Sequence, residues 1–595
     1  MISEAELMFQ LGAIMLLAFI AATMAGKMNQ SVMMGYVVIG ILIGPKMNLN
    51  LFGVQYHGFV GETTFVQMLS QIGLVMLMFF VGLEFSFSKL KKTRTPAIIL
   101  AIIDTSVGLF IGFLFASYLG WPLIDSIFLA GVVAMSSASI AMKVLFDLKR
   151  MSSPEVEFLI GLVVVETFIA MVILAVASGM VVQSAPNALD YGKLILSISA
   201  FYAFFVWIAM WAVPKVVSFF NHIENDELFI LFALGIVFLT AGMAAIMNVP
   251  PIIGAFFIGM ILAESKVTMR VQSKLESFKD AFVAIFFTTF GMMIDPAMFK
   301  NIIWMLALAV PIILLYQVLV ISSIAYFLGF SSKASTTIGT SMCGRGVESI
   351  LYASVGSRAQ GATMGATLNP FAGAYCFIMS SLTPVLVKHS SGVASGLAKI
   401  VPKPLRFSAA VISRTLSKAV MPSNIRLFKN TKATGVLLAS FVAVCVAILL
   451  TQSYVRMFLT LGGLVLAGAI FFVIRREITE IARHVSYTNI GVGTDNKDSI
   501  VDLVSGLVFG AALSVLLIVF SWAYTWQYSL IISAAYLAFV VCLMSWGYGA
   551  LYSGEYVPRK VYNFPKPMVE DAEPIVDIPK PVYGVVRAVP KDMRL

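Results

Sequence analysis

Seventeen apolar runs, each long enough to cross a bilayer, follow one another between about residues 8 and 549. Inside hydrocarbon every backbone N–H and C=O must find a partner within the protein, which restricts a spanning chain to helices or a closed barrel. The runs are near twenty residues and uniformly apolar, unlike the ten-residue alternating segments of a barrel, so helices are the reading. Composition agrees: 59% of residues are hydrophobic, 12% are charged and the mean hydropathy is +0.94, outside the range of water-soluble domains. The fold class is an all-α polytopic membrane protein. The first run follows the acidic start "MISEAE" and precedes many others, so it reads as a transmembrane helix and not as a cleaved signal peptide.

Thirteen spans fall at about 8–25, 31–45, 64–87, 96–119, 125–148, 156–183, 190–218, 227–246, 250–264, 278–294, 300–329, 334–358 and 363–388. Four more follow a basic linker, at about 434–451, 456–474, 500–522 and 526–549. Loop charge checks the count, because a missed span would scramble its alternation. One set of loops carries Lys27, Lys89, Lys91, Lys92, Arg94, Lys149, Arg150, Lys215, Lys266, Arg270, Lys274, Lys279 and Lys333; the opposite set has only Lys46, Lys193, Lys300 and Arg358. The bias places the N-terminus outside and the C-terminus in the cytoplasm. Four parts follow: a transmembrane domain over 1–388, a basic membrane-surface linker over 389–433, a four-helix transmembrane extension over 434–549, and a Pro-rich cytoplasmic tail over 550–595.

Several function classes fall away. Cys343, Cys376, Cys445 and Cys542 lie in apolar runs without paired spacing, which speaks against a disulfide framework or a zinc site. The four histidines lie in loops or near span ends. Neither a cofactor nor a resident metal is expected. No nucleophile and base stand at recognisable spacing, so an enzyme is not expected.

The informative residues are polar ones placed deep in spans. Glu166, within "GLVVVETFIAMVILAVASGMVV", lies roughly 15 Å below the start of its span, near the middle of an apolar layer about 30 Å thick. A carboxylate at that depth costs on the order of 3 kcal/mol and marks an ion or proton path, or else a structural hydrogen bond between helices. An internal repeat gives it context. "GYVVIGILIGP" from Gly35 matches "GAFFIGMILAE" from Gly254, and "FFVGLEF" around Gly82 matches "TTFGMMID" around Gly291. Seven spans separate the copies, an odd number that reverses the direction of crossing, so the halves read as inverted repeats with a site between discontinuous helices. The repeat pairs the fifth span, "AMSSASIAMK", with the twelfth, "TSMCGRGVESI", and both place helix-weakening residues at mid-crossing.

At such breaks Ser136, Ser137 and Ser139 would partner freed backbone groups or help coordinate a cation, although serine also packs tightly between membrane helices. Arg345 should reach the depth of Glu166, as an ion-pair partner or as a clamp joining the two breaks. Glu348 is a second possible partner. Asp104, about nine residues into its span, belongs either to the pathway or to a hydrogen bond with a neighbouring helix.

Taken in order, "GYVVIGILIGP", "LSQIGLVMLMFFVGLEF", "MSSASIAMKVL", "PPIIGAFFIGMILAES" and "FGMMIDP" resemble the monovalent cation:proton antiporter-2 family, the Kef-type and sodium/proton exchangers, over residues 8–388. The resemblance implies a thirteen-helix antiporter with an inverted repeat, two crossed broken helices and a dimerising panel, hence a homodimer in a prokaryotic cell membrane. It implies exchange of Na+ or K+ for H+ by alternating access. The family's sixth span carries an acidic or amide residue followed by an aspartate, the main carrier; here the pair is Glu166 and Thr167. Where many members have a lysine in the eleventh span, this chain has Gln317, in "LLYQVLVISS". The expected ion and proton site is therefore Glu166 with Thr167, Ser136 and Ser137, and the charge partners or second layer are Arg345, Glu348, Gln317 and Asp104. A cation channel, an uncoupled transporter and a non-transporting assembly or sensor subunit are the alternatives that the altered pair and the extra spans leave open.

Beyond 388 the resemblance stops. Residues 389–435 contain eight Lys or Arg and no acidic residue, a pattern suited to the anionic inner leaflet and not, tethered there, to nucleic acid. The four extra spans offer a surface for an additional membrane subunit. The tail repeats "FPKP" and "IPKP" and favours extended structure. It lacks the glycine-rich fingerprint of the nucleotide-binding domain that Kef-type relatives often carry there, so such regulation is not expected.

Overall fold

This computed structural model describes residues 4–28, 32–51, 54–58, 60, 63–84, 95–148, 150–151, 153–178, 225–246, 251–263, 268–359, 361–420, scattered positions between 437 and 448, 453–484, 497–522 and 526–551. The expected span at 190–218, most of that at 434–451, and the Pro-rich tail lie outside them.

The helices run α1 (Glu4–Lys27), α2 (Val32–Ile43), α3 (Thr63–Glu84), α4 (Thr95–Tyr118), α5 (Leu123–Ala134), α6 (Ala138–Asp147), α7 (Pro154–Ser178), α8 (Asp226–Ile246), α9 (Pro251–Ala263) and α10 (Thr268–Met293). They continue as α11 (Phe299–Leu315), a π-helical segment (Tyr316–Ile321), α12 (Ser322–Phe327), α13 (Ser332–Ser341), α14 (Val347–Gly356), α15 (Gly365–Lys388), α16 (Ser390–Ile400), α17 (Lys403–Val420), α18 (Ser453–His484), α19 (Lys497–Trp522) and α20 (Trp526–Leu551). Among the described residues, ten helices are long and apolar enough to cross a membrane, so the protein is a multi-pass membrane protein. One departure from an all-helical chain is a hairpin of β1 (Asn48–Leu51) and β2 (Val54–His57), paired antiparallel with Asn48 opposite His57. The alternation Asn48, Leu49, Asn50, Leu51 has the period of a strand and escapes a search tuned to long apolar runs.

One group of helices is built on close crossings. At Gly40 of α2 an added Cβ would lie 2.0 Å from the Thr288 carbonyl oxygen of α10, and at Gly291 of α10 it would lie 2.2 Å from that of Val37. At Gly82 of α3 and Gly259 of α9 the same construction meets the Phe256 and Phe79 oxygens, each at 2.2 Å. Backbone therefore packs on backbone, the contact that small residues allow where lipid supplies no hydrophobic drive between helices. Gly35 meets the Ala21 carbonyl of α1 at 2.7 Å, and Gly254 meets the Thr240 carbonyl of α8 at 2.4 Å.

A second group, α4–α7 with α11–α15, carries the interrupted crossings described below. The C-terminal helices have their own core. Phe407, Val411 and Ile412 of α17 are buried with Ile478 of α18, Ile500 and Val504 of α19 and Met544 of α20. Phe327 of α12 packs against that cluster, and Ser413 Oγ donates to the Tyr326 carbonyl at 2.6 Å. The basic residues Lys399, Lys403 and Arg406 stay exposed.

Replacing Gly40 by alanine forces two backbones apart, a kind of overpacking that costs about 1–3 kcal/mol. Gly40→Ala should melt at a lower temperature in detergent than the parent, whereas Gly12→Ala, where nothing lies within 4 Å of the new methyl, should not. Differential scanning fluorimetry of the two variants checks the pair.

Candidate functional site

Two crossings break in the middle and touch there. Helix α5 ends at Ala134 and α6 begins at Ala138, with Met135 and Ser137 in extended backbone. Helix α13 ends at Ser341 and α14 begins at Val347. The local cause is legible: hydroxyls at Ser136 and Ser137 compete for helix backbone groups, and Gly344 and Gly346 flank Arg345. The breaks are joined directly, the Ser137 N–H donating to the Gly344 carbonyl at 2.8 Å. A Cβ on Gly346 would stand 2.6 Å from Ser137 Oγ, so a larger residue would hold the breaks apart.

Interrupting a helix frees carbonyls that must be satisfied internally. Arg345, with no exposed surface, does much of this. Its Nε donates to the Val133 carbonyl at 3.0 Å, near the end of α5, and its Nη1 to those of Met342 at 2.6 Å and Gly344 at 3.2 Å. Ser349 Oγ donates to the Met135 carbonyl at 3.1 Å, and Tyr375 of α15 donates a second bond, at 3.2 Å, to that of Val133. The guanidinium is thus a clamp across both breaks. Of the two arrangements the sequence leaves open for Arg345, its hydrogen bonds are those of the clamp, and among the described residues they do not include Glu166.

Glu166 of α7 is 2% exposed and ends at the first break. Its carboxylate accepts the Ser136 N–H at 2.8 Å and the Ser136 hydroxyl at 2.5 Å. Ser136 therefore offers both a freed amide and a hydroxyl to one side chain, and only a break could present the amide. Thr167, its neighbour on α7, is half-buried, and its hydroxyl makes no hydrogen bond to this cluster. Ser137 is buried and caps α6. Glu348 lies in the first turn of α14, 8% exposed. Five residues along α7 from Glu166, Met171 lines a small apolar crevice with Met78, Leu174, Ile253 and Phe256.

The other buried carboxyl has its own holder. Asp104 of α4 is 1% exposed, and its Oδ1 accepts from the Tyr316 hydroxyl and from Gln317 Nε2, both at 3.0 Å. Both donors open the π-helical segment, a backbone form that recurs at functional positions. Helix α13 nests against it at Gly339, where a Cβ would meet Ser322 Oγ at 2.3 Å and the Gln317 carbonyl at 2.4 Å. Sequence reasoning singled out Asp104 and Gln317 separately and did not join them; it missed Tyr316 altogether. The available signals were the neighbourhood of Gln317 and the helix-weakening Pro311 upstream. Asp104, Glu166 and Arg345 interact electrostatically across this buried region. Asp104 Oδ2, Gln317 Oε1 and Arg345 Nη2 are buried without a hydrogen-bond partner among the described residues.

The region thus offers carboxylate, hydroxyl and backbone oxygens, ligands suited to a hard cation and to a proton. Among the described residues no group of three His, Cys, Asp or Glu is placed to hold a metal ion.

Each carbonyl left without its donor costs about 1–3 kcal/mol. Arg345→Met should lower the melting temperature in detergent markedly. Arg345→Lys should restore only part of the loss, because an ammonium cannot span the Val133 and Met342 oxygens as a planar fork does.

A family model described as sodium/hydrogen exchanger, transmembrane, matches residues 14–388. The chain is 31% identical over 401 residues to the K(+)/H(+) antiporter subunit KhtU of Bacillus subtilis (strain 168), covering 66% of this chain and 96% of that protein. It is 26% identical over 354 residues to the Na(+)/H(+)-K(+) antiporter GerN of Bacillus cereus, covering 59% and 88%. A solved structure of the sodium proton antiporter MjNhaP1 from Methanocaldococcus jannaschii aligns at a TM-score of 0.49 and 15% identity, over 66% of this chain and 98% of that one. The family match ends with α15, which leaves α16–α20 outside it, and it covers more than half of the 595 residues: the chain belongs to the sodium/hydrogen exchanger family of monovalent cation:proton antiporters.

Proposed function

We propose that this protein exchanges a monovalent cation, Na+ or K+, for protons by alternating access, with Glu166 as the carrier. The observation that carries this reading is a carboxylate held at a helix break, buried and, among the described residues, hydrogen-bonded to the amide and hydroxyl of Ser136 alone. One carboxylate cannot hold a proton and a cation together. A protonated Glu166 crosses facing one side, releases its proton, and binds the cation through its own oxygens, the hydroxyls of Ser136, Thr167 and Ser137, and carbonyls at the break. Exchange is then one for one and electroneutral. Arg345 serves as the clamp that keeps the two breaks together, with Glu348, Gln317 and Asp104 as the surrounding charge and hydrogen-bond partners. Na+ and K+ both stand because KhtU is named for K(+) and GerN for Na(+) and K(+).

The frame is a thirteen-helix inverted repeat. Its support is the matched glycine contacts: Gly35 of α2 against α1 parallels Gly254 of α9 against α8, and the α2 crossing with α10 parallels that of α9 with α3. The N-terminus lies outside a prokaryotic cell membrane, the C-terminus lies in the cytoplasm, and the α1–α3 and α8–α10 group supplies a homodimer panel. The exposed Lys399, Lys403 and Arg406 set α16 and α17 at the anionic inner leaflet. The C-terminal four-helix extension, which lies outside the family match, offers a surface to an additional membrane subunit.

In proteoliposomes loaded with a pH indicator, Glu166→Gln should abolish proton flux driven by Na+ or K+ gradients. Unchanged exchange excludes Glu166 as the carrier, and cation flux without counter-moving protons would indicate a channel or an uncoupled transporter instead. Ser136→Ala keeps the amide bond and loses the hydroxyl. A hydrogen bond to a charged group is worth about 1.5–3 kcal/mol, so the apparent cation KM should rise about tenfold or more while exchange persists.

A further inference from the structure

Arg345 brings an accounting problem that Glu166 alone does not solve. A guanidinium stays charged at any physiological pH, and this one has no exposed surface. Counted over Glu166 and Arg345 alone, both crossing states hold a net positive charge: protonated Glu166 with Arg345, or ionised Glu166 and a cation with Arg345. Carrying an uncompensated charge through low dielectric is costly. Asp104 removes that cost. It is as deeply buried as Glu166, and its Oδ1 is held by two donors suited to the ionised form, while Oδ2 has no hydrogen-bond partner among the described residues.

We infer that Asp104 is the second ionisable member of the exchange site, and that Asp104 and Glu166 together hold one proton or one monovalent cation against the fixed charge of Arg345. With a proton aboard, one carboxyl is neutral and the other balances Arg345. With a cation aboard, both are ionised and the cation and Arg345 balance them. Both crossing states are neutral, and the proton released to water on one side is replaced by the cation entering from that side. The two carboxyls titrate as a pair and not as independent groups. The inference rests on Glu166 being the carrier. It adds a second carboxyl on α4 where the neighbour of Glu166 on α7 is the non-ionisable Thr167.

The groups facing Asp104 define the test. They are Glu166 on α7, Arg345 at the second break, Tyr316 on the π-helical segment and Cys343 at the end of α13. Asp125 on α5 is engaged by Thr363 and Met364, and Glu155 and Glu157 lie roughly 14–16 Å along α7 from Glu166. In Asp104→Asn, Glu166 is left to balance the buried charge of Arg345 without a neighbouring carboxylate, which favours its ionised form. The midpoint of the pH profile of exchange should move to lower pH by about one unit or more. Tyr316→Phe keeps the ring and removes one donor from the Asp104 carboxylate, so the pair should hold its proton more firmly and the midpoint should move the opposite way. These shifts are read as cation-driven proton flux against pH in proteoliposomes, with Glu166→Gln run beside them.

Opposite shifts in the two variants establish the pair. An unshifted midpoint in both, including a uniform loss of rate at every pH, overturns it and leaves Asp104 a tie between α4 and the π-helical segment. Should Asp104→Asn fail to fold, Tyr316→Phe alone decides, since an unshifted midpoint there sinks the inference. Exchange that survives Glu166→Gln is a separate failure, of the carrier assignment itself.

Discussion

Every interruption of a helix within hydrocarbon creates polar backbone atoms with no water to take them, and the central region of this protein is organised by that debt. The two breaks meet each other, so that the Ser137 amide satisfies the Gly344 carbonyl across the contact. Arg345 then collects two further carbonyls, those of Val133 and Met342, one from each side of the junction, and adds a second donor to that of Gly344. A lysine or an ordinary apolar side chain would leave some of them bare, which gives a physical reason for tolerating a guanidinium at such depth.

With the arginine committed to carbonyls, Glu166 has lost the partner that charge alone would assign to it. The carboxylate is served instead by Ser136, through one main-chain and one side-chain donor. Under the proposed carrier role of Glu166, that arrangement suits exchange better than a tight ion pair would, because a bidentate guanidinium would hold the carboxylate ionised and occupy the oxygens a cation needs. On that proposal the junction and the carrier are served by different residues, with the short segment Ser136–Ser137 touching both.

The surrounding helices explain how the region is held yet able to shift. Glycine crossings bring α2 onto α10 and α3 onto α9 at backbone contact, a packing with little side-chain freedom to absorb change. Beside the site, the π-helical segment interrupts regular bonding after α11 and aims Tyr316 and Gln317 at Asp104. The helix that follows it, α12, is the one against which the C-terminal helices pack, through Phe327 and the Tyr326 carbonyl. The added helices therefore touch the helix that continues directly from the segment carrying both side-chain donors to Asp104.

Much of this was legible in the chain before folding. Length and apolarity of the runs determined the helical membrane class, because no other structure satisfies a backbone in lipid. Glycines within apolar runs marked the close crossings, and "AMSSASIAMK" and "TSMCGRGVESI" marked the breaks, because serine and glycine weaken helices wherever they sit. Depth along a span identified Glu166, Arg345 and Asp104 as residues needing an explanation. What each one touches was decided only in three dimensions. Depth is a coordinate along one helix, whereas a hydrogen bond depends on the rotation and approach of two. Arg345 bonded to carbonyls of both breaks, and Asp104 met Tyr316 and Gln317 from more than two hundred residues away. The π-helical segment that carries those two side chains packs closely against α13 at Gly339, a contact that no local pattern in "LLYQVLVISS" encodes.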